Sequence, residues 1–253
     1  MSSRFHFRFL ILALLCSANL AFAQSTTVAV AANMKDAFGE IATAFRVSGR
    51  SEMRVVYGSS GNFTAQIMNG APFNIFIAAD EHFPLELYKN GKAVNEGAVY
   101  AIGKLALIAK TSSGIALMDN KAEIAKAIAR ANKIAIAKPD LAPYGKAAVE
   151  FLKAEGLWDL AKDKLVYGDN VGAATTYVVT GAADLGFTAL SLARSPEVAK
   201  EANYVALDSK LYEPIKQRMV LIKGAPQEAQ DLYQFMQGTK AKAILQKYGY
   251  TTP

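Results

Sequence analysis

The chain has 253 residues, a length that allows one large domain or two smaller lobes with substantial hydrophobic cores. Hydrophobic residues make up 52% and charged residues 20%, which excludes a disordered chain. Only one apolar run, at the N-terminus, approaches the length of a membrane span. The formal net charge of +6 is spread over many predicted helices, so it indicates a solvated surface, and no nucleic-acid partner is expected.

The first 23 residues have the pattern of a secretory signal peptide. Arg4 and Arg8 precede an almost wholly apolar run from Phe9, which closes on the small-x-small sequence of residues 21–23. This order predicts export, with cleavage near Ala23. The alternatives are a retained membrane anchor and, more weakly supported, a lipid anchor on Cys16.

Histidine and cysteine usage restricts the chemistry of the predicted mature chain. Cleavage removes Cys16 and leaves His82 as the single histidine. Disulfides, thiolate metal sites and multi-histidine sites are therefore excluded, and no cofactor is expected. A secreted serine hydrolase would have to combine His82 with Ser59 or Ser60, and the G-x-S-x-G motif is absent from the sequence, so a non-enzyme is predicted.

Short apolar runs alternate with helical patterns along the rest of the chain. Nine strands are predicted, over residues 27–32, 53–57, 74–79, 104–109, 133–137, 164–167, 185–188, 204–207 and 218–222. Helices are predicted from Met34 to Gly49 and over residues 61–69, 143–155, 171–180 and 226–248, the last as one long helix. Near-continuous apolar strands that alternate with helices predict an α/β fold with a mostly parallel sheet.

Nine strands would overfill one domain of this length, so two lobes are predicted. A Pro/Gly/Ser-rich linker is not present in the sequence, and the boundaries are therefore placed within strands, near Leu105 and Arg218. The predicted division is a signal peptide at 1–23, lobe one at 24–104 plus 219–253, and lobe two at 105–218. The chain would then cross between the lobes twice.

Four predicted strand-to-helix turns carry residues suited to binding an anion. Ligands of open α/β sheets collect at the carboxyl ends of strands, where helix N-termini offer unpaired N–H groups. The first turn contains Asn33, whose amide could donate to an oxyanion or could cap the helix. The second contains Ser59 and Ser60 between two glycines, which could bind a ligand or form an ordinary capped turn.

The other two turns would contribute backbone groups. Tyr144 follows Pro143, so its N–H would point outward from a helix start, although the side chain could simply pack in the core. The N–H of Val171 would lie in the first turn of another helix, which Asp169 or Asn170 could cap. Two turns fall in each predicted lobe, an arrangement that suits a ligand held between lobes that close on a hinge. Export combined with two such lobes is typical of solute-binding proteins.

Several longer stretches carry a family resemblance. They are residues 28–38 (VAVAANMKDAF), 59–80 (SSGNFTAQIMNGAPFNIFIAAD), 169–172, 156–158 (GLW) and 248–250 (YGY). Over residues 26 to about 250 the chain resembles the periplasmic molybdate-binding proteins, the solute receptors of ABC importers. The resemblance implies a type II periplasmic-binding-protein fold, a periplasmic location, a monomer, and molybdate or tungstate as the ligand, delivered to a membrane permease.

The resemblance also implies a ligand set without direct metal-ion contacts. Molybdate would be bound as an oxyanion by the amide of Asn33, the hydroxyl of Ser60 and the backbone N–H groups of Tyr144 and Val171. Ala32 and Ala189 stand where some members of the family have hydroxyl residues, so this site would have fewer hydroxyl donors. The alternatives are a receptor for another anion, such as sulfate, phosphate or a small organic anion, and, in a different class, the hydrolase considered above.

Overall fold

The computed structural model describes residues 25–49 and 53–253. The predicted signal peptide, residues 1–23, lies outside the described residues. Within these two ranges, none of the helices is both long and apolar enough to cross a lipid bilayer.

Ten strands form two separate sheets. They are β1 (Thr27–Ala31), β2 (Arg54–Gly58), β3 (Ile75–Ile77), β4 (Ala98–Gly103), β5 (Leu105–Lys110), β6 (Ile134–Ala137), β7 (Leu165–Gly168), β8 (Leu185–Ala189), β9 (Ala202–Ala206) and β10 (Ile215–Leu221). The first sheet has the order β2-β1-β3-β10-β4 and the second the order β7-β6-β8-β5-β9. The chain therefore passes between the sheets twice, after β4 and after β9.

Eleven α-helices pack around the sheets of the described chain. They are α1 (Lys35–Val47), α2 (Ser60–Met68), α3 (His82–Lys89), α4 (Lys121–Arg130), α5 (Pro143–Ala154), α6 (Trp158–Ala161), α7 (Val171–Thr180), α8 (Leu190–Ala193), α9 (Pro196–Glu201), α10 (Gln227–Gln237) and α11 (Thr239–Lys247). Phe38, Ile41 and Phe45 lie on one face of α1 and are buried against the first sheet. Helices cover both faces of each sheet, so β1, β6 and β8 are buried along almost their whole length.

The predicted α/β class is confirmed, but both sheets are mixed where a mostly parallel sheet was predicted. In the first sheet β1 pairs parallel with β2 and β3, whereas β10 pairs antiparallel with β3 and β4. The second sheet repeats this scheme, with β5 antiparallel to β8 and β9. In each sheet, the antiparallel strands adjoin the places where the chain passes to the other sheet.

The structure differs from the sequence-based predictions at three places. Strand β4 was not predicted, because Lys104 alone separates it from β5 in one apolar run. The predicted helix over 226–248 is two helices, since the extended backbone of Gly238 ends α10 and begins α11. The predicted domain boundary between residues 218 and 219 falls inside β10, and residues 215–218 pair with β4 in the first sheet.

Candidate functional site

The four predicted turns meet at one small cleft between the two sheets. It offers about 200 Å³ of space, its opening to solvent included. Asn33, Ser60, Tyr144 and Val171 all lie in its wall. Every described residue that lines the cleft has a side chain that is uncharged at neutral pH: Ala31, Ala32, Asn33, Gly58, Ser59, Ser60, Ala79, Ala142, Pro143, Tyr144, Asn170 and Val171.

Three helices begin at this cleft. Helix α2 begins at Ser60, α5 at Pro143 and α7 at Val171. The first N–H groups of a helix have no partner within it, and the N-terminus carries a partial positive charge. The cleft therefore has a positive electrostatic character although its lining contains no cationic side chain.

Ser59 and Ser60 have different roles. The side chain of Ser59 accepts a hydrogen bond from the Asn62 N–H at 3.4 Å and so caps α2. Ser60 is fully buried, and its Oγ accepts from the Ala79 N–H at 3.0 Å. That bond occupies a lone pair of Oγ and leaves the hydroxyl proton of Ser60 to be donated elsewhere.

Tyr144 and Val171 lie in the first turns of their helices, as predicted. Asn170 caps α7 by accepting from the Ala173 N–H at 3.0 Å, which leaves the Val171 N–H at the open end of the helix. The start of α5 lies directly against β6. Only a glycine fits at position 145, because a Cβ there would collide with the Ala137 carbonyl. The hydroxyl of Tyr144 faces away from these donors and accepts a hydrogen bond from the amide of Gln217 at 3.0 Å.

Asn33 is buried in a 3-10 turn between β1 and α1, and its side chain does not cap a helix. Its Nδ2 donates to Gln217 Oε1 at 3.0 Å and to the Tyr250 hydroxyl at 2.8 Å. Its backbone carbonyl accepts from Ser191 Oγ at 2.8 Å. Asn33 Oδ1 is buried and has no hydrogen-bond partner within the described protein.

Sequence reasoning missed the buried polar residues behind the cleft, chiefly Gln217, Tyr100, Tyr250 and Ser191. Gln217 is completely buried and lies at the centre of this group, with Tyr100 donating to its Oε1 at 2.8 Å. A signal was present in the sequence: Ile215, Gln217 and Met219 alternate with polar residues, which places the glutamine on the buried face of a strand. The predicted strand began at Arg218 and left that glutamine out.

Burial also changes the acidity of groups near the cleft. It raises the pKa of the Tyr100, Tyr144 and Tyr250 hydroxyls, so these groups stay protonated and able to donate at neutral pH. Burial raises the pKa of Asp80 to about 6, against the lowering effect of the Phe83 N–H, His82 and Lys146. The carboxylate of Asp80 accepts from the Phe83 N–H in the first turn of α3 at 3.3 Å.

Direct contacts join the two lobes around the cleft. The Gly61 N–H donates to the Leu141 carbonyl at 2.9 Å, and the bonds of Ser191 to Asn33 and of Gln217 to Tyr144 also cross between the lobes. At the rim, Lys35 and Glu197 approach to 4.0 Å. These contacts hold the two lobes closed on one another, while the cleft between them keeps an opening to solvent.

A cleft lined by uncharged hydrogen-bond donors between two mixed α/β lobes is typical of solute receptors, and comparison with known proteins agrees. The family model "Bacterial extracellular solute-binding protein" matches residues 26–251, and the chain belongs to that family. It is 38% identical to the molybdate-binding protein of Azotobacter vinelandii over 94% of this chain and 92% of the relative. It is 36% identical to that of Rhodobacter capsulatus, over 92% of this chain and 90% of the relative.

Structural comparison leads to the same group. The periplasmic molybdate-binding protein of Azotobacter vinelandii superposes with a TM-score of 0.82 at 34% sequence identity, over 90% of this chain and 100% of that one. The predicted resemblance to the periplasmic molybdate-binding proteins and the predicted periplasmic-binding-protein fold are confirmed.

Asp80 should make the stability of the unliganded protein depend on pH. Because its pKa of about 6 in the folded state exceeds the ordinary aspartate value of 3.8, the folded state binds the proton more tightly than the unfolded state. The contribution of Asp80 to the free energy of unfolding should therefore grow by about 1 to 2 kcal/mol as the pH falls from 7.5 to between 5 and 4. Urea denaturation of the wild type and Asp80→Asn across this range measures it.

The asparagine variant keeps the oxygen that caps α3 and removes only the titration. The difference in unfolding free energy between the two proteins should change with pH. The unfolding free energy of the control variant Asp119→Asn, at an exposed position, should instead follow the same pH dependence as that of the wild type. Parallel curves for Asp80→Asn as well would contradict the assignment.

Proposed function

We propose that this protein captures molybdate or tungstate between its two lobes and delivers it to the membrane permease of an ABC importer. The observation that carries the proposal is the convergence of four uncharged donor turns, from both lobes, on one closed cleft. The molybdate-binding relatives that cover almost the whole chain support the choice of ligand.

The donors proposed for the oxyanion are the Asn33 amide, the Ser60 hydroxyl and the N–H groups of Tyr144 and Val171. Asn33 would exchange its bond to Gln217 or to Tyr250 for one to the ligand. Molybdate and tungstate are doubly charged and fully deprotonated at neutral pH, so a ligand shell made only of donors suits all of their oxygens. Neutral N–H and O–H groups replace the lost hydration without the desolvation cost of burying a lysine or arginine. Phosphate keeps a proton at neutral pH and would need an acceptor.

Selection against sulfate must have a different basis, since sulfate is also a deprotonated dianion. Its shorter bonds make it smaller than molybdate, so rigid backbone donors at a fixed spacing would leave it with longer hydrogen bonds. Ala32 lines the cleft without contributing a hydroxyl, and Ala189 is buried at the end of β8. The proposed ligand shell therefore depends more heavily on Asn33 and on the backbone.

The hydrolase alternative is poorly supported by the geometry. His82 lies at the start of α3 with its side chain 77% exposed, beside Glu86 at 3.8 Å. The Oγ of Ser60 is engaged by the Ala79 N–H. We therefore propose a binding protein without catalytic activity.

Export to the periplasm, with removal of residues 1–23, is part of the same proposal. The extracellular family model begins at residue 26, directly after the predicted cleavage near Ala23. The mass of the protein recovered from the periplasm of an expressing bacterium should correspond to a chain that begins at Gln24. Retention of the N-terminal residues in the exported protein would contradict cleavage there.

Ligand choice is tested by titrating the mature protein with molybdate, tungstate, sulfate and phosphate at equal ionic strength while following thermal unfolding. At 100 times its Kd, a ligand should stabilise the folded protein by about 2.7 kcal/mol. Large upward shifts of Tm with molybdate and tungstate, and small ones with sulfate and phosphate, are expected. If none of the four oxyanions shifts Tm, the proposed function is wrong; an equal shift with sulfate would contradict the size argument.

Replacing the proposed side-chain donors should weaken binding with little effect elsewhere. Ser60→Ala and Asn33→Ala should each cost about 1 to 3 kcal/mol of molybdate binding, because a donor to a buried charge is lost. Isothermal titration calorimetry measures this as a roughly 5- to 150-fold rise in Kd. Ser48→Ala and Asn120→Ala are matched controls, since Ser48 and Asn120 bond to backbone at helix ends far from the cleft. An unchanged Kd would remove that residue from the site.

A further inference from the structure

A second cavity of the described chain lies at the other end of the first sheet. Strands β1, β2 and β3 run parallel and lead to the proposed oxyanion cleft, whereas this cavity lies where they begin, beside Thr27, Arg54 and Asn74. It offers about 1170 Å³ of space with its opening to solvent included, against about 200 Å³ for the cleft. Because the two spaces lie at opposite ends of the strands, both could be occupied at once.

The charges of this cavity are all of one sign. Its lining includes Arg54, Lys92 and Lys223, and none of its described lining residues is acidic. Within the part of the chain that the structure describes, none of these three side chains forms an ion pair or a hydrogen bond. Three positive charges around one concave space favour an anionic ligand.

Two of the cations face each other across neighbouring segments of the chain. The Lys223 N–H donates to the Lys92 carbonyl at 2.9 Å, next to the antiparallel bridge between Ala93 and Ile222. In this register Lys92 and Lys223 are opposite each other, an arrangement in which like charges are destabilising. Lys92 is also half-buried, so water screens the repulsion only in part. The unliganded protein therefore carries an electrostatic cost that a bound anion would relieve.

A neutral donor adds to the three cations. Asn74 Oδ1 accepts a hydrogen bond from the Thr27 N–H at 2.8 Å. Because a backbone N–H can only donate, this bond directs the amide oxygen of Asn74 toward Thr27 and leaves its NH₂ group without an acceptor among the described residues. The ammonium of Lys223 extends over the turn at Gly91, 3.6 Å from where a Cβ on that glycine would lie. The lining thus offers several donors to the oxygens of one anion.

We propose that this cationic cavity is a second anion site, separate from the oxyanion cleft, and that it binds a phosphoryl group carried by a larger molecule. A phosphoryl group has nearly two negative charges and three acceptor oxygens, so it can bond to an arginine and two lysines together. The planar guanidinium of Arg54 can donate to two of those oxygens at once. A carboxylate, with one charge, would satisfy the three cations less well.

The cavity also has an apolar part, which favours an organic carrier for that group. Ile67, Phe73 and Ile222 line it and belong to one hydrophobic cluster of the first lobe. An organic group attached to the phosphoryl group could pack against this surface, whereas a free tetrahedral oxyanion would occupy only a small part of the space. Soluble phosphate esters and phospholipid headgroups share this chemistry.

The test is isothermal titration calorimetry of the mature protein saturated with molybdate, so that the oxyanion cleft is filled. Glycerol 3-phosphate and pyrophosphate are the soluble probes, and one molecule of either should bind per protein. Cosedimentation with phosphatidylcholine vesicles, with and without phosphatidic acid, distinguishes a lipid phosphate from a soluble one. Binding only to the vesicles that contain phosphatidic acid would assign the phosphoryl group to a lipid. If neither soluble probe binds and neither vesicle does, the inference is overturned.

Charge-matched variants locate the binding. The double variant Lys92→Gln with Lys223→Gln should weaken binding of the probe at least about tenfold, because two charged donors are lost. The control, Lys200→Gln with Lys240→Gln, removes two exposed lysines elsewhere and should leave the affinity unchanged. Equal weakening in the two double variants would indicate nonspecific attraction to a positive protein and contradict the inference.

Two further readouts keep this result apart from misfolding and from the proposed function. The variant without Lys92 and Lys223 should have a Tm at or above that of the wild type, because it lacks the opposed like charges. Its molybdate affinity should match that of the wild type, since the cleft lies at the other end of the sheet. If the wild type does not bind molybdate, the proposed function fails, whereas the comparison of the two double variants still decides whether the cationic cavity binds phosphoryl groups.

Discussion

Three helix N-termini from two different lobes point at one small, closed cleft, and the remaining features of the site follow from this electrostatic arrangement. Each N-terminus carries a partial positive charge of about half a unit, and like charges brought together in a dry environment repel one another. Closure without a ligand is therefore opposed by the same groups that would bind one. An anion in the cleft converts this repulsion into attraction, which links occupancy to closure.

The hydrogen bonds between the lobes have to offset that repulsion in the unliganded state. The backbone bond from Gly61 to Leu141 and the buried bonds of Ser191 to Asn33 and Gln217 to Tyr144 contribute to this. Each contributes on the order of 1 kcal/mol net, which leaves the closed and open forms close enough in energy for a ligand to shift the balance. None of these three bonds uses a formal charge, so salt would screen only the exposed pair of Lys35 and Glu197, whose side chains approach to 4.0 Å between the lobes.

Local sequence patterns predicted the α/β class, most strands and the four strand-to-helix turns that line the cleft, because each depends on signals that act over a few residues. The start of a helix can be predicted where a strand is followed by Ser-Gly or Asn-Val-Gly and then by an apolar helical pattern. This prediction does not require the partner strands to be known. Tertiary pairing is different. Strands β4 and β5 are separated by one lysine yet lie in different sheets, and a local pattern does not show that the chain changes sheet there. Gly238 likewise ends a helix inside a stretch whose apolar periodicity continues through it.

Gln217 could be placed on a buried strand face from sequence, but its hydrogen-bond partners could not, because Asn33, Tyr100 and Tyr144 are 184, 117 and 73 residues away along the chain. Only folding shows that a glutamine on β10 meets the amide that lines the cleft. A buried glutamine is costly unless it is hydrogen-bonded, and here its side-chain amide bonds to Asn33, Tyr100 and Tyr144. A leucine at this position would pack in the same strand face with less risk to stability. The amide instead bonds to the Tyr144 hydroxyl of the other lobe and to the Asn33 side chain that lines the cleft, so part of the geometry of the site is set one residue behind the cleft wall.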